Sequence, residues 1–442
     1  MDQETKDNVS DIRAPGRGTS LLEREVNRRQ AIKYGAIGVA ALASAGSVAY
    51  YVFRSAQSEG SVDVFKNDAP KGELWKLWKK RGWVKEAAHY LKLGGNVQCQ
   101  VCPNECLLEP EDRSHCRNKV NKDGKLYTMA YGNPCSFHVD PIEKKPLFHF
   151  LPGTGVFSIA TSGCSFRCLN CQNWEISQKK PEETKDPSGE EVKFDPRRSP
   201  FLKREDIARL SMFPENVVEL AELSKSDSIA YTYSEPTSFY EYMYDTSKLA
   251  RSRKIKNVWV TNGYINPDAL EDFCAYLNAA NVDLKSFSKE IYKKLNSGKL
   301  EPILETLKTL KERGVWFEVT NLVVPTYTDK LDMIRRMCDW LVENIGPDYP
   351  LHFSRFHPQH KLDHLPPTPV NVLTEARSIA LKAGLHYVYI GNVRGVRDAE
   401  TTFCPNCKKP VIERLIYFVR SNNIENGKCK FCGTKIAGVW RA

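Results

Sequence analysis

The chemistry of this chain is concentrated in the stretch Thr161-Ser-Gly-Cys164-Ser-Phe-Arg-Cys168-Leu-Asn-Cys171-Gln-Asn173. Its cysteines follow the spacing C-x3-C-x2-C, in a glycine-containing loop that comes after the apolar run Val156–Ala160. Three thiolates at this spacing can hold three irons of a 4Fe–4S cube, whereas four would saturate it. The remaining iron is open to a substrate, as one position is at catalytic metal sites. The competing readings are a zinc knuckle or unrelated core cysteines. They fit less well, because zinc sites use paired C-x2-C hooks and a closed set of four ligands.

Two further cysteine groups flank this stretch. Cys99-x2-Cys102-x3-Cys106-x9-Cys116 places four thiols within eighteen residues, with Pro103 among them. That predicts a compact metal site of structural role, and its spacing suits zinc or a second iron–sulfur cluster equally. Near the carboxyl end, Cys404-Pro-Asn-Cys407 and Cys429-Lys-Phe-Cys432 are separated by 21 residues. Two such hooks signal a zinc ribbon, although iron sites of rubredoxin type use similar ones. A closed four-thiolate site contributes folding free energy to a segment too short for its own core. These groups account for eleven of the fourteen cysteines, so cysteine usage reads as metal ligation and not as disulfides. Cys274 and Cys338 lie in helical patterns and read as core residues. Cys135, in a turn after Asn133-Pro134, is assigned no role.

The elements that must position the central cysteines follow from periodicity. At 442 residues the chain accommodates one barrel-sized domain plus small appendages, and its 41% hydrophobic and 27% charged composition is ordinary for a globular fold. Short β-rich runs recur at Val156–Thr161, Ile229–Tyr233, Val258–Thr261, Val282–Leu284, Val315–Val324, Leu351–Phe356 and Tyr387–Ile390. Between them fall helical patterns, including Glu215–Lys225, Asp268–Leu277, Ile303–Arg313, Lys330–Asn344 and Thr374–Ala383. This alternation predicts an α/β fold, a full or partial (β/α) barrel, with small metal-binding appendages at both ends. In such barrels chemistry collects at the carboxyl ends of the strands. Each run indeed leads into polar residues: Cys164, Ser234-Glu235, Asn262, Lys285, Asn321, His357 and Asn392. The charged stretch Lys179–Asp206, neither apolar nor periodic, reads as an exposed insertion, with a lid as the functional alternative.

The ends of the chain have their own character. Residues 1–33 are polar and expected to be disordered. Arg28-Arg29 precedes an uncharged run, Tyr34–Phe53, which is long enough to cross a bilayer but rich in alanine and glycine. This resembles a twin-arginine export signal, with Ala43-Ser-Ala45 and Ser47-Val-Ala49 as small-residue cleavage sites, or else an uncleaved membrane anchor. Either predicts a membrane-associated or exported protein, the alternative being a cytoplasmic one whose run is a surface helix. Leu74–Gly82 reads as a short basic amphipathic helix. The net charge is +10, and the tail from Cys404 carries eight Lys/Arg against two Asp/Glu. A solvated face explains such a patch more often than nucleic acid does. The expected organisation is a leader over 1–33, a signal or anchor over 34–53, and a four-cysteine module over 95–150. A barrel over 151–395 and a zinc-ribbon tail over 400–442 complete it.

Several stretches together resemble the AmmeMemoRadiSam system radical S-adenosylmethionine (SAM) proteins, relatives of the pyruvate formate-lyase (glycyl-radical) activating enzymes. They are Cys99–Cys116, Asp140–Leu147, Gly163–Trp174, Tyr231–Thr237, Val260–Gly263, Asn281–Lys285, Glu318–Leu322, His352–His357, Tyr389–Val393 and Cys429–Trp440. The resemblance implies a barrel of radical SAM type, with a 4Fe–4S cluster on Cys164, Cys168 and Cys171 and SAM chelating the open iron. An electron from a donor such as ferredoxin or flavodoxin then splits SAM into methionine and a 5′-deoxyadenosyl radical, which takes hydrogen from a substrate. The family's glycine-rich stretch corresponds to Tyr233-Ser234-Glu235-Pro236; its two glycines are replaced here and Glu235 is retained. Glu235, Asn262, Asp283 and Lys285 stand where the family binds SAM, Asn and Asp suiting ribose hydroxyls and Lys a carboxylate. His357 is implied as the catalytic positioning donor or proton relay. The substrate is a small molecule or a partner protein, activated as glycyl-radical activating enzymes do. The alternative is a non-enzymatic iron–sulfur and zinc protein for electron transfer or nucleic-acid binding. Such a protein needs neither SAM contacts nor three ligands in place of four.

Overall fold

The computed structural model describes residues 62–192, 195 and 202–441. The leader and the run Tyr34–Phe53, with the export or anchor expectation attached to them, lie outside those residues. Among the described residues, no helix is long and apolar enough to cross a membrane.

The amino-terminal module opens with helix α1 (Gly72–Lys80), the basic amphipathic segment read from the sequence. It buries Trp78, whose indole N–H donates to the Met129 carbonyl at 3.1 Å and whose ring meets Trp83 edge-on. Two three-stranded antiparallel sheets follow. One orders its strands β1 (Lys85–Glu86), β6 (Lys125–Thr128), β5 (Lys119–Lys122), the other β2 (Tyr90–Leu93), β3 (Asn96–Cys99), β4 (Leu107–Leu108).

The barrel is one eight-stranded sheet whose strands lie in chain order: β7 (Ser136–Pro141), β8 (Gly155–Ala160), β9 (Ser228–Tyr231), β10 (Lys256–Thr261), β11 (Ala279–Asp283), β12 (Trp316–Val323), β13 (Leu351–Arg355) and β14 (Val388–Gly391). From β8 onward every pairing is parallel. The sheet ends at β7 and β14 without closing, which makes it a partial barrel. All seven runs expected from the sequence are strands. β7 was not expected: it falls in the stretch assigned to the four-cysteine module, yet pairs antiparallel with β8 along its whole length. Parallel strands need both faces covered, and β9 is buried at all four residues.

Helices α2 (Pro214–Leu223), α3 (Tyr240–Ser252), α4 (Pro267–Cys274), α5 (Glu301–Glu312), α6 (Leu331–Trp340) and α7 (Val370–Ala383) cover the outside. α6 buries Met333, Ile334, Met337 and Cys338, one stripe at helical spacing. Proline sits in the first turn of α2, α4 and α5, where no N–H is needed. α3 escaped the periodicity reading because its first turns, Tyr-Glu-Tyr-Met-Tyr, carry β-favouring aromatics. The tail adds a three-stranded antiparallel sheet, β15 (Thr402–Phe403), β16 (Pro410–Leu415) and β17 (Phe418–Asn422), and the hairpin β18 (Ile424–Glu425), β19 (Lys428–Cys429). The described residues 179–192 of the charged insertion are less exposed than expected. Lys185 is buried, its ammonium donating to the carbonyls of Leu210 at 2.8 Å and Pro134 at 3.2 Å.

The fully buried carboxylate of Glu318, on β12, fastens three parts of the fold together. It accepts the backbone N–H groups of Phe148 at 3.0 Å and His149 at 2.7 Å, and Nε2 of His352 on β13 at 2.6 Å. The His149 ring continues the chain, with Nδ1 2.7 Å from the Ala437 carbonyl of the tail and Nε2 2.6 Å from the Tyr389 hydroxyl on β14. The carbonyl fixes the tautomer: Nδ1–H donates and Nε2 accepts from the tyrosine. Burial pushes the His149 pKa down to about 4, so the ring stays neutral. Burial alone would raise the Glu318 pKa, but the hydrogen bond and charge of His352 outweigh it and the net shift is downward. A depressed carboxylate adds stability that is present above its unfolded pKa and lost as pH falls through the folded one. Glu318→Gln is therefore expected to destabilise the chain by roughly 3 kcal/mol at neutral pH. It should also flatten the loss of stability below the ordinary carboxylate range, as measured by urea unfolding midpoints across pH.

Candidate active site

The cysteine loop leaves β8 through Gly163, where only glycine fits. Its φ is +91°, and a Cβ there would stand 2.5 Å from the Cys116 carbonyl oxygen and 2.6 Å from Asn118 Oδ1. Asn118 Nδ2 donates to the Ser162 carbonyl at 2.6 Å and to Ser238 Oγ at 3.0 Å, and Gly163 N–H donates to the Ile176 carbonyl at 3.0 Å. Each sulfur then meets a partner. Phe166 N–H points at Cys164 Sγ (3.3 Å), Asn296 Nδ2 at Cys168 Sγ (3.2 Å), and Ser177 Oγ lies 3.0 Å from Cys171 Sγ.

A cavity of about 1090 Å³ opens over this loop at the carboxyl ends of the strands. Cys164, Cys168 and Cys171 line it, together with Glu235, Asn262, Asp283, Lys285 and His357. Of the residues in the strand-end pattern, Ser234 and Asn392 line it too, whereas Asn321 is buried away from it, its Nδ2 donating to the Leu284 carbonyl at 2.7 Å. No fourth cysteine lines it. Asn262 Nδ2 donates to Ser165 Oγ at 3.1 Å and lies 4.0 Å from Cys164 Sγ. Lys285 Nζ donates to Asp283 Oδ2 at 2.8 Å. Burial opposes the Lys285 charge, but Asp283 and the Cys168 sulfur overcome it and raise its pKa, so the ammonium persists.

Glu235, placed by the resemblance among the SAM-binding residues, has a carboxylate that is already engaged. Its Oε1 accepts from Thr237 N–H (3.0 Å), Thr237 Oγ1 (2.8 Å) and Thr261 Oγ1 (2.8 Å), and Oε2 from Asn262 N–H (2.8 Å). Its own chain engages both oxygens, which makes it a brace between the loops after β9 and β10. His357 is exposed, with Nε2 3.1 Å from the Asn392 carbonyl.

The other two cysteine groups lie elsewhere. In the tail, Cys404 and Cys432 sulfurs are 3.6 Å apart, those of Cys407 and Cys429 3.8 Å, and all four stand within 4.8 Å of one another. A tetrahedral zinc with bonds near 2.3 Å needs edges of about 3.8 Å. Cys99, Cys102, Cys106 and Cys116 line a second, smaller pocket. Sequence reasoning gave no role to Asn170 or Asn296 and read Ser234 only as a polar strand-end residue. Asn170 and Ser234 line the main cavity, and Asn170 Oδ1 and Ser234 Oγ are buried without a hydrogen-bond partner among the described residues. Asn170 could have been found, since it stands inside the cysteine motif. Asn296 reaches Cys168 only through the fold, across 128 residues.

The radical SAM superfamily model matches residues 158–341 of the chain. An uncharacterised protein of Methanocaldococcus jannaschii is 45% identical over 356 residues, covering 80% of this chain and 99% of that one. The chain belongs to the radical SAM superfamily. Among solved structures, a domain of a pyruvate-formate lyase-activating enzyme from Bacteroides vulgatus is 15% identical and covers 37% of this chain and 99% of its own, with a TM-score of 0.34. Streptococcus suis SuiB bound to S-adenosylmethionine is 10% identical and covers 57% of this chain and 53% of its own, with a TM-score of 0.40. Membership in the radical SAM superfamily implies a 4Fe–4S cluster and SAM. The cavity fits both: it offers three thiols, and three polar atoms of its wall, Glu143 Oε2, Asn170 Oδ1 and Ser234 Oγ, have no hydrogen-bond partner among the described residues.

The close approach at Gly163 generates a test. Gly163→Ala is expected to lower bound iron in the barrel to less than half. Gly314→Ala is the control, because Gly314 shares a positive φ of +67° but has nothing within 4 Å of the added Cβ. Both variants carry the backbone penalty of about 1 kcal/mol, so only the clash separates them. Iron and sulfide analysis after anaerobic reconstitution makes the comparison.

Proposed function

We propose that this radical SAM enzyme belongs to the AmmeMemoRadiSam branch and abstracts hydrogen from a segment of a partner protein. The observation that carries the enzymatic reading is the single cavity holding three cysteines, not four, beneath a rim of strand-end donors and acceptors. Bound there, the cluster and SAM supply reductive cleavage of the sulfonium and a 5′-deoxyadenosyl radical. The chain's own part is to hold and orient. Cys164, Cys168 and Cys171 ligate three irons. Lys285, kept charged by Asp283, suits the SAM carboxylate, while Asn262 and Asp283 suit ribose hydroxyls. Glu235 acts through its neighbours, fixing the backbone of Asn262. His357, exposed and tethered to Asn392, serves the substrate side as positioning donor or proton relay.

A protein substrate is favoured by the tail hairpin between β16 and β17. Ile416 and Tyr417 line the cavity mouth, while Leu415 and Phe418 beside them are exposed at 49% and 70%. Apolar side chains presented in a cluster mark contact surfaces. The net charge of +10 suits an acidic one-electron donor of the ferredoxin or flavodoxin class. The tail's sulfur spacing supports one structural zinc.

With SAM and dithionite, the reconstituted full-length chain is expected to form 5′-deoxyadenosine, and Cys168→Ala to form none. Unchanged product from the variant would remove the reading. The partner reading has its own measure. Holoenzyme mixed with a glycyl-radical enzyme of the same genome should raise an organic-radical EPR signal in that partner, and a silent spectrum would favour a small-molecule substrate.

The tail makes a separate prediction. Cys429→Ser with Cys432→Ser should lower zinc by about one per chain and leave the cluster's visible absorption in place. Metal analysis by plasma emission decides it.

A further inference from the structure

The four cysteines of the amino-terminal module take no part in the barrel's cavity. Cys99 ends β3, Cys102 and Cys106 occupy the turn leading to β4, and Cys116 precedes β5. The turn is tightly knit, with Cys99 N–H donating to the Cys106 carbonyl at 3.0 Å. It is also docked on the barrel, Asn266 N–H donating to the Val101 carbonyl at 2.9 Å and Asn266 Nδ2 to that of Gln100 at 2.9 Å. All four cysteines line one small pocket, and none forms a disulfide.

Their spacing separates the two metals that the sequence left open. The tail sulfurs crowd within 4.8 Å of one another, as thiolates sharing a single ion must. Among the described residues, no three sulfurs of Cys99, Cys102, Cys106 and Cys116 do so, and neither do those of Cys164, Cys168 and Cys171. Thiolates on separate irons of a cube stand wider apart than thiolates on one zinc. By this internal standard the amino-terminal set resembles the barrel's cluster site and not the tail's zinc-like site.

We propose that Cys99, Cys102, Cys106 and Cys116 hold a second 4Fe–4S cluster, one thiolate on each iron. The surroundings suit it. Ser114 Oγ lies 3.1 Å from Cys116 Sγ, and His115 N–H points at Cys106 Sγ at 3.5 Å, contacts that stabilise charged sulfur. The pocket wall includes the buried Lys119 ammonium, whose two hydrogen bonds to Glu241 measure 2.7 and 2.6 Å. Four thiolates saturate the cube, so this cluster has no open iron for a substrate and exchanges electrons only.

Its location gives that exchange a direction. Ser165, the residue after Cys164, lines the same pocket, and its carbonyl accepts Asn104 Nδ2 at 2.9 Å, two residues from Cys102. On the other side the Cys116 carbonyl abuts Gly163. A low-potential one-electron donor reduces the second cluster, which returns to its oxidised state as it passes that electron to the barrel cluster. The proposal does not depend on which substrate the barrel acts on.

The test uses full-length protein reconstituted anaerobically and two complementary variants. Wild type should hold about eight irons per chain; the triple variant Cys164→Ala/Cys168→Ala/Cys171→Ala should keep about four, with four sulfides and one zinc. Cys102→Ala/Cys106→Ala should also keep about four. Dithionite-reduced wild type should show EPR lines broadened by coupling between two clusters, with simple single-cluster spectra in both variants. A triple variant without iron, beside wild type holding two zincs per chain, overturns the second cluster. Two clusters without broadening overturn the relay.

Discussion

The contact between the Cys116 carbonyl and Gly163 governs how this molecule is assembled. Two loops that belong to different parts of the sequence press together so closely that no side chain can stand between them. One of those loops ends the amino-terminal four-cysteine set and the other begins the barrel's three. The barrel therefore presents its cysteines only against a folded amino-terminal module, and the module finds its place only against the barrel. Asn118 reinforces the joint, its amide donating to Ser162 and Ser238 at once. Buried side-chain amides that satisfy backbone carbonyls in this way fix one geometry among many that apolar packing would tolerate.

Several buried charges elsewhere are matched by an opposite one. Lys119 meets Glu241, Glu318 meets His352, and Lys145 meets Asp140 at 2.6 Å. Such pairs do little for net stability compared with apolar packing, but removing one partner strands the other, which is strongly destabilising. They therefore fix how the elements dock. Glu241 belongs to the barrel helix α3 and Lys119 to the module; Glu318 ties β12 to residues 148 and 149 and, through His149, to the tail. The Lys285–Asp283 pair is the one that lies on the cavity wall beside Cys168, where an added ligand can share it.

Much of this was legible in the sequence, and the reasons differ by feature. The seven parallel strands declared themselves because a sheet buried on both faces demands short, near-continuous β-branched and apolar runs. The cluster loop declared itself because metal ligation needs particular residue types at fixed short spacing. β7 stayed hidden because it is largely polar, Ser-Phe-His-Val-Asp-Pro, as an edge strand with a solvent-facing side can be. Glu318 and His149 stayed hidden because their partners lie far along the chain, at residues 352, 389 and 437. The metal of the amino-terminal set could not be chosen from spacing, since what distinguishes one ion from a cube is the separation of sulfurs in space.

The replaced glycines after β9 show how far a resemblance can be read residue by residue. Tyr233 opens the stretch that resembles the family's glycine-rich one, and its φ is +62°, in the left-handed region that glycine enters freely. A non-glycine residue there costs about 1–2 kcal/mol. The surroundings offset it: the Tyr233 hydroxyl donates to Asp140, and the Lys145 ammonium sits 4.5 Å from its ring centroid. Asp140 is held well below the usual carboxylate range, since Lys145, Lys144 and that hydroxyl together outweigh its burial. The Tyr233 carbonyl meanwhile accepts Asn173 Nδ2 at 2.7 Å, joining this turn to the end of the cysteine loop. Tyr233 thus holds a backbone conformation that glycine enters freely, fixed in place by its own side chain. The anchor, built from Asp140 and Lys145, lies in a stretch of the family resemblance to which no chemistry had been assigned.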